Sequence, residues 1–218
     1  GFVPAAIAET LARPLPPTAW ACVLGSGVCV GAYYIFLARS YAAADFTVVY
    51  PVARSLPVLL IAVGDTLRGR CPTVAGWVGM ALVVLGCVLC PLNSFGDLSP
   101  RRYWNRASLW MLLTALGTVG YTMLDKVAAE AVTRGPATAA RYGYVFFLVS
   151  LAAYAGGIRL FGVPESEGKP VGWKRPAIAG VLNFTGYWMV LWAYQLTARA
   201  GYVLAFRQVS IVVGVVLA

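Results

Sequence analysis

The sequence predicts an all-α fold, a polytopic helical membrane protein, and three observations carry that expectation. Composition is the first: of 218 residues, 60% are hydrophobic and 11% charged, whereas a soluble domain carries about 25% charge. Mean hydropathy is +0.76. Spacing is the second, because nearly charge-free runs recur at 18–38, 46–64, 71–96, 107–124, 142–158, 176–198 and 200–218. Each approaches the roughly 20 residues that a bilayer-crossing helix needs. The third is an internal echo between the stretch opening at Ala32 and the stretch opening at Gly186. Tyr33 answers to Tyr187, Leu37 to Leu191 and, after a one-residue slip, Arg54 to Arg207. The repeated unit is two helices, a short turn, and an arginine inside the second helix.

Taken in chain order, an apolar scrap at 1–8 precedes the link 12–17 and the run 18–38, which is dotted with Gly25, Gly27 and Gly31. A tight turn at 42–45 leads into 46–64, interrupted only by Arg54, and a basic turn at 68–72 leads into 71–96. The polar link 93–105 carries Pro, Gly, Asn and Ser, the usual turn residues, and is the natural boundary between halves. Beyond it lie 107–124, the connection 130–138, the run 142–158, the polar link 162–176 and the pair 176–198 and 200–218. Short links between apolar runs imply antiparallel neighbours. Glycines within the runs, including Gly79, Gly86, Gly117, Gly120, Gly156, Gly157 and Gly180, are expected to let helices approach closely, since helices in lipid gain little from apolar burial alone. No Met or signal-type leader precedes Gly1, and the last residues stop inside an apolar run, so a fragment cut at both ends is expected.

Several function classes are disfavoured. The net charge of +9 is spread singly and in pairs between runs rather than in the stripe that nucleic-acid binding requires. Interfacial anchoring on the lipid bilayer is the expected role of those charges. They do not orient the chain, because the alternate sets of loops carry seven and eight basic residues. The five cysteines, an odd number mostly within apolar runs, form no disulfide framework, and Cys87-x-x-Cys90 lacks a second pair or any histidine to complete a metal site. With no histidine and no carboxylate pair on one run, no catalytic residue, cofactor or metal is expected.

The stretch YPVARSLPVLLIAVGDTLRGRCPTVAGWVGMALVVLGCVL resembles the EamA-like members of the drug/metabolite transporter superfamily. It joins a proline-containing helix, the pair Gly64-Asp65 where that family usually has Gly-Glu, a short basic loop, and a helix with Gly79-x-x-Leu82-x-x-x-Gly86. The final YVLAFRQVSIVVGVVLA is similar to the equivalent helix of the family's second repeat. The resemblance implies a ten-span bundle of two inverted five-helix repeats, of which about eight spans are present. It divides the chain into a first repeat at 1–92, truncated at its start, a linker at 93–106, and a second repeat at 107–218, truncated at its end. The counterpart of Asp65 would then fall beyond Ala218.

Candidate site residues follow from depth and face. Arg54 and Arg207 lie roughly 9 to 12 Å into their helices at 1.5 Å per residue, where a lone arginine costs about 2.5 to 3.5 kcal/mol and must face a partner or a wet cavity. They are expected either to bind an anionic group on a substrate or to hold unwound carbonyls. Tyr50 shares a face with Arg54 at i, i+4. Tyr34, Ala38 and Tyr41 make one aromatic face, and Trp188, Trp192 and Gln195 make its counterpart, with Asn183 nearby as an amide that would not favour lipid. Tyr33, Tyr187 and Tyr194 make the adjacent face. Coupling candidates are Asp125, also read as an edge pair with Lys126, and Asp45, also read as a helix N-cap. The expected function is secondary transport of a small metabolite or drug-like solute by alternating access, outward across the plasma (cell inner) membrane as the resemblance implies. Exchange or uptake of a phosphorylated or nucleotide-sugar-like anion and a non-transporting structural subunit stand as alternatives, and a homodimer is a possible assembly.

Overall fold

The computed structural model describes residues 11–12, 14–43, 46–89, 106–162 and 172–208, and among them the chain is all-helical. Seven helices follow in order: α1 (Pro17–Ala43), α2 (Phe46–Leu67), α3 (Val74–Leu89), α4 (Arg106–Ala131), α5 (Pro136–Phe161), α6 (Lys174–Leu196) and α7 (Ala200–Arg207). Each sits on one of the seven apolar runs. Two of them, α1 and α5, are long and apolar enough to cross a membrane, and α3 holds a shorter apolar stretch, Val74–Gly86.

Helix ends depart from the apolar runs where a charge finds a partner inside the fold. The first run breaks at Arg39, yet α1 continues to Ala43. The Arg39 guanidinium lies 5.0 Å from the centroid of Trp110 and donates to the Phe161 carbonyl at 2.6 Å. Helix α4 likewise runs through Asp125 and Lys126 to Ala131. Pro136 then opens α5, where a missing N–H costs nothing.

The most extensive packing joins α1 to α4 and α5, and α4 also meets α2 and α6, so α4 lies at the centre. Helix α2 packs on α3, α4 and α7. Gly27 and Gly31, one turn apart, form the seam between α1 and α5. A methyl group on Gly31 would stand 2.7 Å from Ala153 Cβ and 2.9 Å from the Tyr154 backbone nitrogen. Gly25, Gly117, Gly120 and Gly157 also face neighbours closely, as expected. Gly79, Gly86, Gly156 and Gly180 do not: nothing lies within 4 Å of a Cβ there.

The bundle buries several polar side chains within its apolar core and exposes large apolar ones. Ser26, Ser55, Asp65, Thr114, Thr122, Asp125 and Lys126 are buried, while Leu82, Leu151, Ile178 and Leu182 are exposed. Apolar surface on that scale marks contact with something other than water.

The glycine seam has a direct test. Gly31→Ala is expected to destabilise by about 1 to 3 kcal/mol, the usual cost of overpacking, while Gly180→Ala should be neutral or stabilise by up to about 1 kcal/mol. Thermal unfolding followed by size-exclusion chromatography in detergent separates the two, and equal Tm shifts would refute the seam.

Candidate functional site

Helices α2 and α7 are the echoed helices, and they pack against one another. Their arginines meet. Arg54 and Arg207, 153 residues apart, line one void together with Tyr33, Thr118, Tyr121, Leu204 and Gln208. Gln208 Nε2 donates to the Arg54 carbonyl oxygen at 2.8 Å, tying the two helices together. The cavity has a volume of about 10 Å³. By that measure one water needs roughly 10 to 15 Å³, so the site has room for about one water.

Aromatic rings wall the arginines. Tyr33 and Tyr187, matched in the echo, both pack edge-on against Tyr121 of α4, at 6.0 and 6.1 Å between centroids. Tyr187 also stacks on Phe146 at 4.7 Å. The Arg207 guanidinium lies 5.6 Å from the Tyr187 ring centroid, a cation–π distance.

One turn beyond Tyr121 on α4 sits Asp125, fully buried. Its Oδ1 accepts from Ser26 Oγ of α1 at 2.6 Å and from Tyr142 Oη of α5 at 2.7 Å. Its Oδ2 accepts from Tyr187 Oη of α6. Tyr187 thus touches the carboxylate with its hydroxyl and the Arg207 cation with its ring. The edge pair expected between Asp125 and Lys126 is not formed. Adjacent helical residues point about 100° apart, and Lys126 Nζ instead donates to the Tyr194 and Thr197 carbonyls at 2.8 and 2.5 Å and pairs with Glu130 at 3.0 Å. A cation on the last carbonyls of α6 suits the negative end of the helix.

The same end of the bundle carries a latch of polar ties. Glu130 pairs with both Arg68 and Arg70 of the α2–α3 turn. Arg70 also donates to the Ala198 carbonyl at 3.1 Å, and Arg199 Nε to the Cys71 carbonyl at 3.0 Å. Tyr202 Oη accepts from the Thr73 amide at 2.9 Å. Asp65, of the Gly64-Asp65 pair, completes the set by accepting from the Gly201 amide at 2.8 Å. Helix α7 has no capping side chain of its own at Arg199, so the carboxylate of α2 serves the open amides of α7 from another helix.

The remaining predicted site residues lie elsewhere. Tyr34 is partly exposed and packs edge-on with Tyr33 and Tyr154 at 5.1 and 6.1 Å. Asn183 of α6 stands beside it, exposed. Trp188 and Trp192 stack on each other at 6.4 Å, and Trp188 Nε1 donates to the Pro136 carbonyl at 2.8 Å. Gln195 is buried, and its Oε1 accepts from the Gly135 amide at 2.8 Å. These two therefore fasten the α4–α5 turn to α6. The side chain of Tyr50 and the whole of Asp45 lie outside the described residues, and among those described no group of three or more His, Cys, Asp or Glu residues gathers as a metal site. Ser26, Tyr121, Tyr142 and Gln208 were not singled out for the site. Tyr121 carried a signal in its i, i+4 spacing to Asp125, and Gln208 in its match to Ser55 across the echo. No protein-family model, curated protein or solved structure matches the chain.

The cap supplied by Asp65 is testable. Asp65→Ala should cost about 1 kcal/mol, the usual loss for a cap, and speed hydrogen exchange at the Gly201 amide, whereas Asp65→Asn retains an acceptor and should cost less. Unchanged exchange at Gly201 in Asp65→Ala would show that the carboxylate does not cap α7.

Proposed function

We propose that the chain is part of a polytopic secondary transporter of the EamA-like type it resembles, built from two inverted repeats and moving a small metabolite outward across the plasma membrane by alternating access. The carrying observation is that Arg54 and Arg207, equivalent in the echo, line one void between the repeats. A guanidinium pair walled by tyrosines suits a solute with a carboxylate or phosphate, because arginine presents a planar fork of donors to such groups. Large apolar side chains on the outside, with polar ones paired within, suit a bundle whose solvent is lipid.

The small void and the latch fit one state of such a cycle. With space for about one water between the arginines, a solute enters only after α2 and α7 part. The latch around Glu130 closes one end, so opening there requires Arg68 and Arg70 to leave Glu130.

The test uses the full-length protein in liposomes. A thermal-shift screen of amino acids, nucleosides, sugars and organic anions selects a ligand, and counterflow of that ligand then measures transport. Arg54→Ala and Arg207→Ala should each lower the rate about thirtyfold or more, corresponding to roughly 2 kcal/mol for a lost charged contact, with insertion and yield retained. Normal transport by both variants would end the binding role of the arginines, and failure of both to fold would make them structural.

A further inference from the structure

Two carboxylates are fully buried in the bundle, Asp65 and Asp125, and their partners differ in kind. Asp65 Oδ2 accepts from a backbone amide, which can only donate. Asp125 accepts from three hydroxyls, those of Ser26, Tyr142 and Tyr187. A hydroxyl both donates and accepts, so each of these bonds can reverse. The Asp125 shell therefore has partners for a carboxylate and equally for a carboxylic acid.

Cation placement points the same way. Among the described residues Asp125 enters no ion pair. Lys126 is turned toward the α6 carbonyls and Glu130. Facing Asp125 are Cys22 and Cys29 of α1, Tyr142 of α5, Tyr187 and Tyr194 of α6, and Arg207 of α7, whose charge reaches it across the Tyr187 ring. Helix α2 brings Arg54 to the neighbouring void. Two more buried hydroxyls on the same helices, those of Thr122 and Tyr194, stand beside each other.

Building on the transport reading of the arginine void, we propose that Asp125 is the proton-binding residue of the carrier, coupled through Tyr187 to anion binding at Arg207. A proton from water binds Asp125 Oδ2. The new carboxyl O–H donates to Tyr187 Oη, and the phenolic hydrogen that formerly pointed at the carboxylate turns away, so no other group gains or loses a proton. An anion entering at Arg207 places a like charge near Asp125 and favours its protonation. By linkage, a proton on Asp125 favours the anion to the same degree. Proton and anion then travel together, and both leave on the opposite side.

Infrared difference spectroscopy of the full-length protein in lipid nanodiscs, titrated with acid alone, tests this without any solute. The wild type should show a reversible band of a buried protonated carboxyl that Asp125→Asn abolishes and Asp65→Asn retains. In Arg207→Gln the band should appear at roughly tenfold lower proton concentration, because the nearest guanidinium no longer favours the carboxylate. Tyr187→Phe keeps the ring stack and guards against misfolding of the other variants; there the band should persist and the hydrogen-bonded position of its carbonyl should move. A band unaffected by Asp125→Asn, or one that appears at the same pH in the wild type and Arg207→Gln, would overturn the proposal. Either result leaves the liposome test of the arginines untouched.

Discussion

A carboxylate taken out of water must be surrounded by donors, because an unpartnered buried charge costs far more than a helix contact gains. Asp125 meets that requirement with one hydroxyl from each of α1, α5 and α6. Those bonds set how four helices stand around the centre of the bundle. They also set where Tyr187 goes, and through Tyr187 where Arg207 rests. The aromatic cluster of Tyr33, Tyr121, Phe146 and Tyr187 then fills the space above the carboxylate, with rings edge-on or stacked.

Around this centre the helices hold together by close approach and by polar ties at their ends. Gly27 and Gly31 let the α1 backbone approach that of α5, which matters where lipid and leucine are equally apolar and burial supplies little drive. The end ties run from α2 and its following turn to α7 and its preceding turn: Gln208 to the Arg54 carbonyl, Asp65 to the Gly201 amide, Arg70 to the Ala198 carbonyl, and Arg199 to the Cys71 carbonyl. Most are single hydrogen bonds to backbone. They register the two hairpins without welding them.

Much of this was legible in the sequence, and the remainder was illegible for definable reasons. Charge-free runs located all seven described helices, since helix length in such a chain follows from the length of apolar sequence. The runs stop at Arg39 and at Asp125-Lys126 while the helices continue, because a tertiary partner lets a charge extend a helix. The arginine pair was legible because a charge in an apolar run is costly anywhere and the echo matched one to the other. The aromatic face was not. In a helix apolar all round, periodicity does not say which face meets a cavity, a neighbour or lipid, and the structure turns Trp188 and Gln195 to the α4–α5 turn while it turns Tyr33 and Tyr187 to Tyr121.

By itself the sequence determined the helical class, the number and limits of the apolar runs, the echo, and the identity of the two arginines that need a partner. These are local properties: composition, length and the cost of a charge in apolar surroundings act along the chain. Only the tertiary structure decided that the arginines share one void, that Asp65 caps a distant helix, and that Asp125 is held by hydroxyls rather than by Lys126. Ser26 lies 99 positions from Asp125 and Tyr187 62. Bonds across such separations depend on which faces the helices turn to each other, and that is a property of the packed bundle alone.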